Sequence, residues 1–75
     1  YKGINVATLQ TLAETHNLSV ITIETLREAG FINKNQLVKI LGNGELTVKL
    51  EVSANAFSKS AIAKIEALGG TATTL

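Results

Sequence analysis

The run LVKILGNGELTVKLEV, residues 37–52, decides the fold. Leu37 to Leu41 is apolar apart from Lys39, so it reads as a buried strand with one outward position. Gly42-Asn43-Gly44 follows, and Asn-Gly between two strand-like runs predicts a hairpin turn. Then comes an alternation. Leu46, Val48, Leu50 and Val52 share one face, and Thr47, Lys49 and Glu51 share the other. That is period two, the pattern of a half-buried strand.

Reading outward from this block, strands and helices interleave. Upstream, Ile4-Asn5-Val6 reads as a short strand. Residues 7–14 place Leu9, Leu12 and Ala13 at helical spacing, and His16 and Asn17 end that helix. Leu18 to Ile21 suggests a short extended piece. Thr22 predicts the N-cap of a second helix, with Glu24 in its first turn, Ile23 and Leu26 inward, and Gly30 as its stop. Downstream, Ser58 predicts the N-cap of a third helix, and Phe57 before it can staple onto Ile62. Ala61, Ile62, Ile65 and Leu68 line one face of that helix, and Lys59, Lys64 and Glu66 the rest. Gly69-Gly70 ends it, and Thr71 to Leu75 reads as a closing strand. The expectation is one small domain, residues 1–75, of mixed α/β class with layered short elements.

Composition narrows the function. The 75 residues are 45% hydrophobic, enough for a core and too much for disorder. No apolar run of about eighteen residues occurs, so no membrane-spanning helix is expected. The chain starts on Tyr1 and shows no secretory signal pattern. Without Cys there are no disulfides and no thiolate metal sites. The net charge is +1, low for a stand-alone nucleic-acid binder. The cations are Lys2, Arg27, Lys34, Lys39, Lys49, Lys59 and Lys64, and the anions are all Glu.

Catalytic chemistry finds little support. His16 is the single histidine, which gives no metal set at usual ligand spacings and no motif for a nucleophile–His–acid triad. It reads as a polar helix-end residue. Gly42-Asn43-Gly44 contains G-x-G, but position 47 is Thr where a dinucleotide fingerprint needs Gly. Glu45 and Glu51 read as solvated positions rather than a general acid–base pair. Phe31 and Phe57 read as core, not as platforms for base stacking. Catalytic, metal and cofactor residues are therefore expected to be none. A tight Gly turn does let backbone N–H groups approach a phosphate.

The block Lys39-Ile40-Leu41-Gly42-Asn43-Gly44-Glu45-Leu46 resembles the bacterial large-subunit ribosomal protein fifteen family, in its C-terminal half. The resemblance runs on through Leu50, Val52, Phe57-Ser58, Ala61, Ile65 and Gly69-Gly70. Upstream it takes in Ile4-Asn5-Val6 and Thr22 to Ile32, so it covers nearly the whole chain. It implies a compact α/β C-terminal globular domain whose basic, Gly-rich N-terminal arm is absent here. On the resemblance, that absence would account for the near-neutral charge. The resemblance further implies a non-enzymatic structural constituent of the large ribosomal subunit in the cytoplasm, without a cofactor. Its partners would be 23S ribosomal RNA and neighbouring large-subunit ribosomal proteins, with no membrane and no small-molecule substrate. On the family motif, RNA contact is expected at Lys39, Gly42, Asn43 and Gly44. Charge and position add Lys34 and Lys59. Where family members are often basic before Phe57, this chain has Ala54-Asn55-Ala56.

Two other classes compete. A protein-interaction module is favoured by the low charge and by apolar edge strands. A small enzyme would need a concave polar site, for which the sequence offers no constellation.

Overall fold

The computed structural model describes residues 1–75. Strand β1 (Lys2–Asn5) runs directly into helix α1 (Val6–His16). Next come β2 (Val20–Ile21), α2 (Ile23–Glu28), β3 (Val38–Leu41), β4 (Glu51–Ala54) and β5 (Ala56–Phe57). Helix α3 (Lys59–Ala67) and β6 (Thr71–Thr74) complete the chain. The interleaved α/β class expected from the sequence is the one observed.

The topology is less ordinary. The odd strands form one three-stranded sheet in the order β1-β3-β5, and the even strands another in the order β2-β4-β6. Every pairing is parallel. The chain thus changes sheet at each successive strand. Parallel neighbours cannot be joined by a tight turn and need a crossover, and alternating between two sheets supplies one every time.

This overturns the hairpin. A two-residue type I′ turn needs positive φ at both central residues, and here Gly44 is positive (φ 88°) while Asn43 is not. β3 and β4 belong to different sheets, and residues 42–50 form the crossover between them. The alternation at 46–52 is real in burial: Leu46, Leu50 and Val52 are buried and Val48 half-buried, while Thr47, Lys49 and Glu51 are exposed. It is a strand only from Glu51, because no partner strand lies beside residues 46–49. There the Gln10 side chain of α1 substitutes: its Oε1 accepts the Thr47 N–H at 2.9 Å and its Nε2 donates to Thr47 Oγ1 at 2.9 Å. Val6 is the first residue of α1 rather than the end of β1. Leu37 lies outside β3 and is 53% exposed. Strand β5 has no counterpart in the pattern read from the sequence.

The cap residues behave as read. Thr22 Oγ1 accepts from the Thr25 N–H, and Thr25 Oγ1 accepts from the Thr22 N–H, a reciprocal capping box. Gly30, with φ 86°, follows the end of α2. Asn17 closes α1 in the left-handed region at φ 53°, a conformation Asn tolerates better than most residues. Thr22→Ala should therefore lower stability by about 1 kcal/mol, or roughly 4–8 °C in Tm for a domain of this size. An unchanged melting curve would show that water satisfies those amides equally well.

The core consists of 16 buried residues, all apolar, drawn from both sheets, the three helices and the crossovers. Ile40, Val38 and Ile4 bury one face of the first sheet, and Val52, Ala54 and Ile21 one face of the second. No buried side-chain nitrogen or oxygen lacks a hydrogen-bond partner.

Candidate nucleic-acid interface

Because β1, β3 and β5 are parallel, their C-terminal ends lie side by side. The outer strands end in helix starts: Asn5 of β1 is the N-cap of α1, and Ser58, after β5, is the N-cap of α3. The middle strand ends in Gly42-Asn43-Gly44. The glycine turn therefore emerges between two helix N-termini. Crevices at the carboxyl ends of parallel strands are where such sheets commonly bind ligands, and helix N-termini present free N–H groups and positive potential.

The turn is fastened to both helices. The Asn43 carbonyl accepts from the Ala7 N–H in the first turn of α1 at 3.3 Å. Asn43 Nδ2 also reaches Asn5 Oδ1 at 3.4 Å. On the other side, Ser58 Oγ accepts both the Gly42 N–H and its own helix's Ala61 N–H, each at 3.2 Å. Lys64 Nζ then donates to the Gly42 carbonyl at 2.6 Å and to the Gly44 carbonyl at 2.7 Å.

Both glycines are required by close approach. A Cβ on Gly42 would lie 2.6 Å from Ser60 Cβ and 2.8 Å from the Ala61 nitrogen. One on Gly44 would overlap Ala7 Cβ and lie 3.3 Å from Ala7 Cα. Asn43 and Gly44 remain exposed.

Charge follows the same geometry. Neither α1 nor α3 has an acidic residue in its first turn. Lys59 occupies the first position of α3, where a cation opposes the helix dipole and costs a few tenths of a kcal/mol. Of the six glutamates only Glu45 adjoins the turn; Glu14 and Glu66 sit toward the far ends of α1 and α3.

The expected site residues are not all together. Gly42, Asn43, Gly44 and Lys59 share this end of the first sheet. Lys39 lies three residues before Gly42 on β3, half-buried on the sheet's outer face. Its register neighbours are Gly3 and Ala56, so its stem crosses a flat surface. Lys34 is elsewhere. It is exposed in the α2–β3 connection, before the opposite end of β3, and its carbonyl accepts from Arg27 Nη2 at 3.3 Å.

From the sequence, Lys64 reads only as part of a polar helix face. A signal exists: Ser60 and Lys64 are four apart and so share one side of α3. That side becomes meaningful only once the glycine turn is known to pack against it.

No other region offers a site of comparable organisation. An open groove of about 360 Å³ between α1 and α2 is lined by Leu12, His16, Leu18, Thr25, Glu28 and Ala29, and it places no nucleophile against His16 with an orienting acid. No group of three or more His, Asp or Glu is placed to hold a metal ion. No helix is long and apolar enough to cross a membrane.

Residues 3–73 match the family model described as ribosomal proteins 50S-L15 and 50S-L18e with their 60S counterpart. The chain is 61% identical over 75 residues to the large ribosomal subunit protein uL15 of Phocaeicola vulgatus, covering all of this chain and 51% of that protein. It is 66% identical over 71 residues to that of Bacteroides thetaiotaomicron, covering 95% of this chain and 48% of that protein. Against Corynebacterium aurimucosum uL15 the identity is 54% over 74 residues, 97% of this chain and 48% of that protein. The chain spans about half the length of the curated relatives it matches. It belongs to the ribosomal protein family that comprises 50S-L15, 50S-L18e and their 60S counterpart.

Proposed function

We propose that the chain is the C-terminal globular domain of a uL15-type protein, a structural and non-enzymatic constituent of the large ribosomal subunit in the cytoplasm. In this reading it contacts 23S ribosomal RNA and neighbouring large-subunit proteins and supports subunit assembly and translation. The strongly basic arm of its relatives' other half would carry most of the electrostatic affinity. The observation that carries the reading is the glycine turn held between two helix starts free of acidic residues, with Lys59 at one of them. Glycines let backbone amides come close to a phosphate, and such contacts position RNA without reading its sequence. Lys39 adds a point charge on the adjoining sheet face, and Lys34 a separate one at the other end of β3.

The test is sedimentation of the tagged, full-length parent protein through a sucrose gradient of cell lysate, with a high-salt wash. Co-migration with the large subunit that survives moderate salt is expected. A signal confined to light fractions would overturn the proposal in favour of a protein-interaction module. Lys39→Ala should keep the fold, weaken RNA association and lower the salt slope by about one. An unchanged slope would remove Lys39 from the contact surface.

A further inference from the structure

We infer that Lys64 is a positioning residue that aims the backbone amides of the glycine turn outward, toward phosphate, and does not itself contact RNA. The inference rests on the RNA-contacting reading above and deepens it.

Lys64 is one of the seven cations and, by composition, a candidate for phosphate contact. Its ammonium is already engaged. It lies 2.6 Å from the Gly42 carbonyl oxygen and 2.7 Å from that of Gly44, and the residue is half-buried. Bonds to a charged donor at this length are among the stronger ones, and they take up two of its three donors.

The consequence for the turn follows from peptide planarity. No peptide bond in the chain is cis. In a trans peptide the C=O and the N–H point in opposite directions. With the Gly42 carbonyl turned to Lys64, the Asn43 N–H points away from the Lys64 ammonium. With the Gly44 carbonyl turned the same way, so does the Glu45 N–H. Neither N–H donates to any atom of the chain, so both are without a partner inside it. Asn43, Gly44 and Glu45 are all exposed. A phosphate oxygen is the acceptor that the proposed RNA partner supplies. Gly44 at φ 88° gives the turn the backbone path on which two carbonyls, two residues apart, meet a single ammonium.

Lys64→Met keeps the aliphatic stem and removes the donors. Lys64→Arg keeps donors in reach. Binding of a large-subunit ribosomal RNA fragment is measured across a salt series for the wild type and both variants, with backbone amide exchange followed by NMR in the absence of RNA. Lys64→Met is expected to lower affinity on the order of tenfold, as for one or two phosphate hydrogen bonds lost, with the salt slope unchanged and Arg restoring most of the loss. The Asn43 and Glu45 amides should shift while those of α1 and β4 keep their protection. A slope lowered by about one would make Lys64 a phosphate contact and overturn the inference. So would unchanged loop amides, or an affinity that ignores the methionine. If the wild type fails to bind RNA while Lys64→Met still moves the loop amides, the RNA reading falls and the pin remains.

Discussion

Replacing Gly42 or Gly44 with valine is expected to lower the domain's stability strongly, most at Gly44, for two different reasons. At Gly42 the backbone is not in the left-handed region, and the obstacle is proximity. A Cβ there would overlap Ser60 Oγ and lie 2.6 Å from Ser60 Cβ and 2.8 Å from the Ala61 backbone nitrogen. The serine hydroxyl can rotate away, but the first turn of α3 cannot, because Ser58 caps it and Ala61 and Ile65 are in the core. At Gly44 the strain is conformational as well as steric. A φ of 88° disfavours any L side chain, β-branched ones most. Backbone strain of this kind costs about 1–3 kcal/mol, and overpacking costs roughly 1–3 kcal/mol more. A 75-residue domain has about 4–11 kcal/mol of stability, so the Gly44 valine, which meets both costs, removes a large part of it, and the Gly42 valine, which meets overpacking alone, removes less.

Alanine variants separate the two causes by thermal denaturation. Gly44→Ala should be partly rescued by Ala7→Gly, which removes the overlapping Cβ and leaves the φ strain. Gly42→Ala should be partly rescued by Ser60→Gly, which leaves the contact with the Ala61 nitrogen. Melting curves that match the wild type in both single variants would mean that the turn does not sit between the helices as described.

How far the sequence leads to this geometry differs between its parts. Caps and stops are legible because they are local: Thr22, Ser58, Gly30 and Gly69 each answer to chemistry within four residues of themselves. The alternation from Leu46 to Val52 is legible as burial, since side-chain direction in extended chain has period two whether or not a partner strand is present. It is not legible as the absence of a strand, because pairing depends on what the rest of the chain places beside it. The hairpin fails for the same reason. Asn43-Gly44 carries a strong local preference, and two parallel sheets that exchange the chain at every strand override it.

The site follows suit. The glycines and Lys59 can be named from motif and position, and they meet in space. Lys34 can be named too, yet the length of β3 separates it from them. Lys64 cannot be assigned, because its two partners lie 22 and 20 residues away in sequence.

The second large effect tests the most direct disagreement between pattern and structure, the apolar run at 37–41. By composition Leu37 and Ile40 are equivalent members of one buried strand. In the structure Ile40 is fully buried on the middle strand of the first sheet, in register with Ile4 on one side and Phe57 on the other. Leu37 precedes the strand and is 53% exposed. Its carbonyl, not its side chain, is the structural contribution, accepting the Lys2 N–H at 2.7 Å. Truncating Ile40 to Ala removes methyl groups from a site enclosed by two strands and the core beneath. The neighbours on a paired middle strand cannot collapse inward without breaking ladders on both sides. The expected loss is therefore about 2–5 kcal/mol, the range for large-to-small changes in well-packed cores. Leu37→Ala keeps the carbonyl and should cost within about 0.5 kcal/mol, as for an ordinary surface position. Chemical denaturation with a common m-value measures both. Equal losses in the two variants would return Leu37 to the core and shift the start of β3, and a small loss at Ile40 would mean that the first sheet is not packed as described.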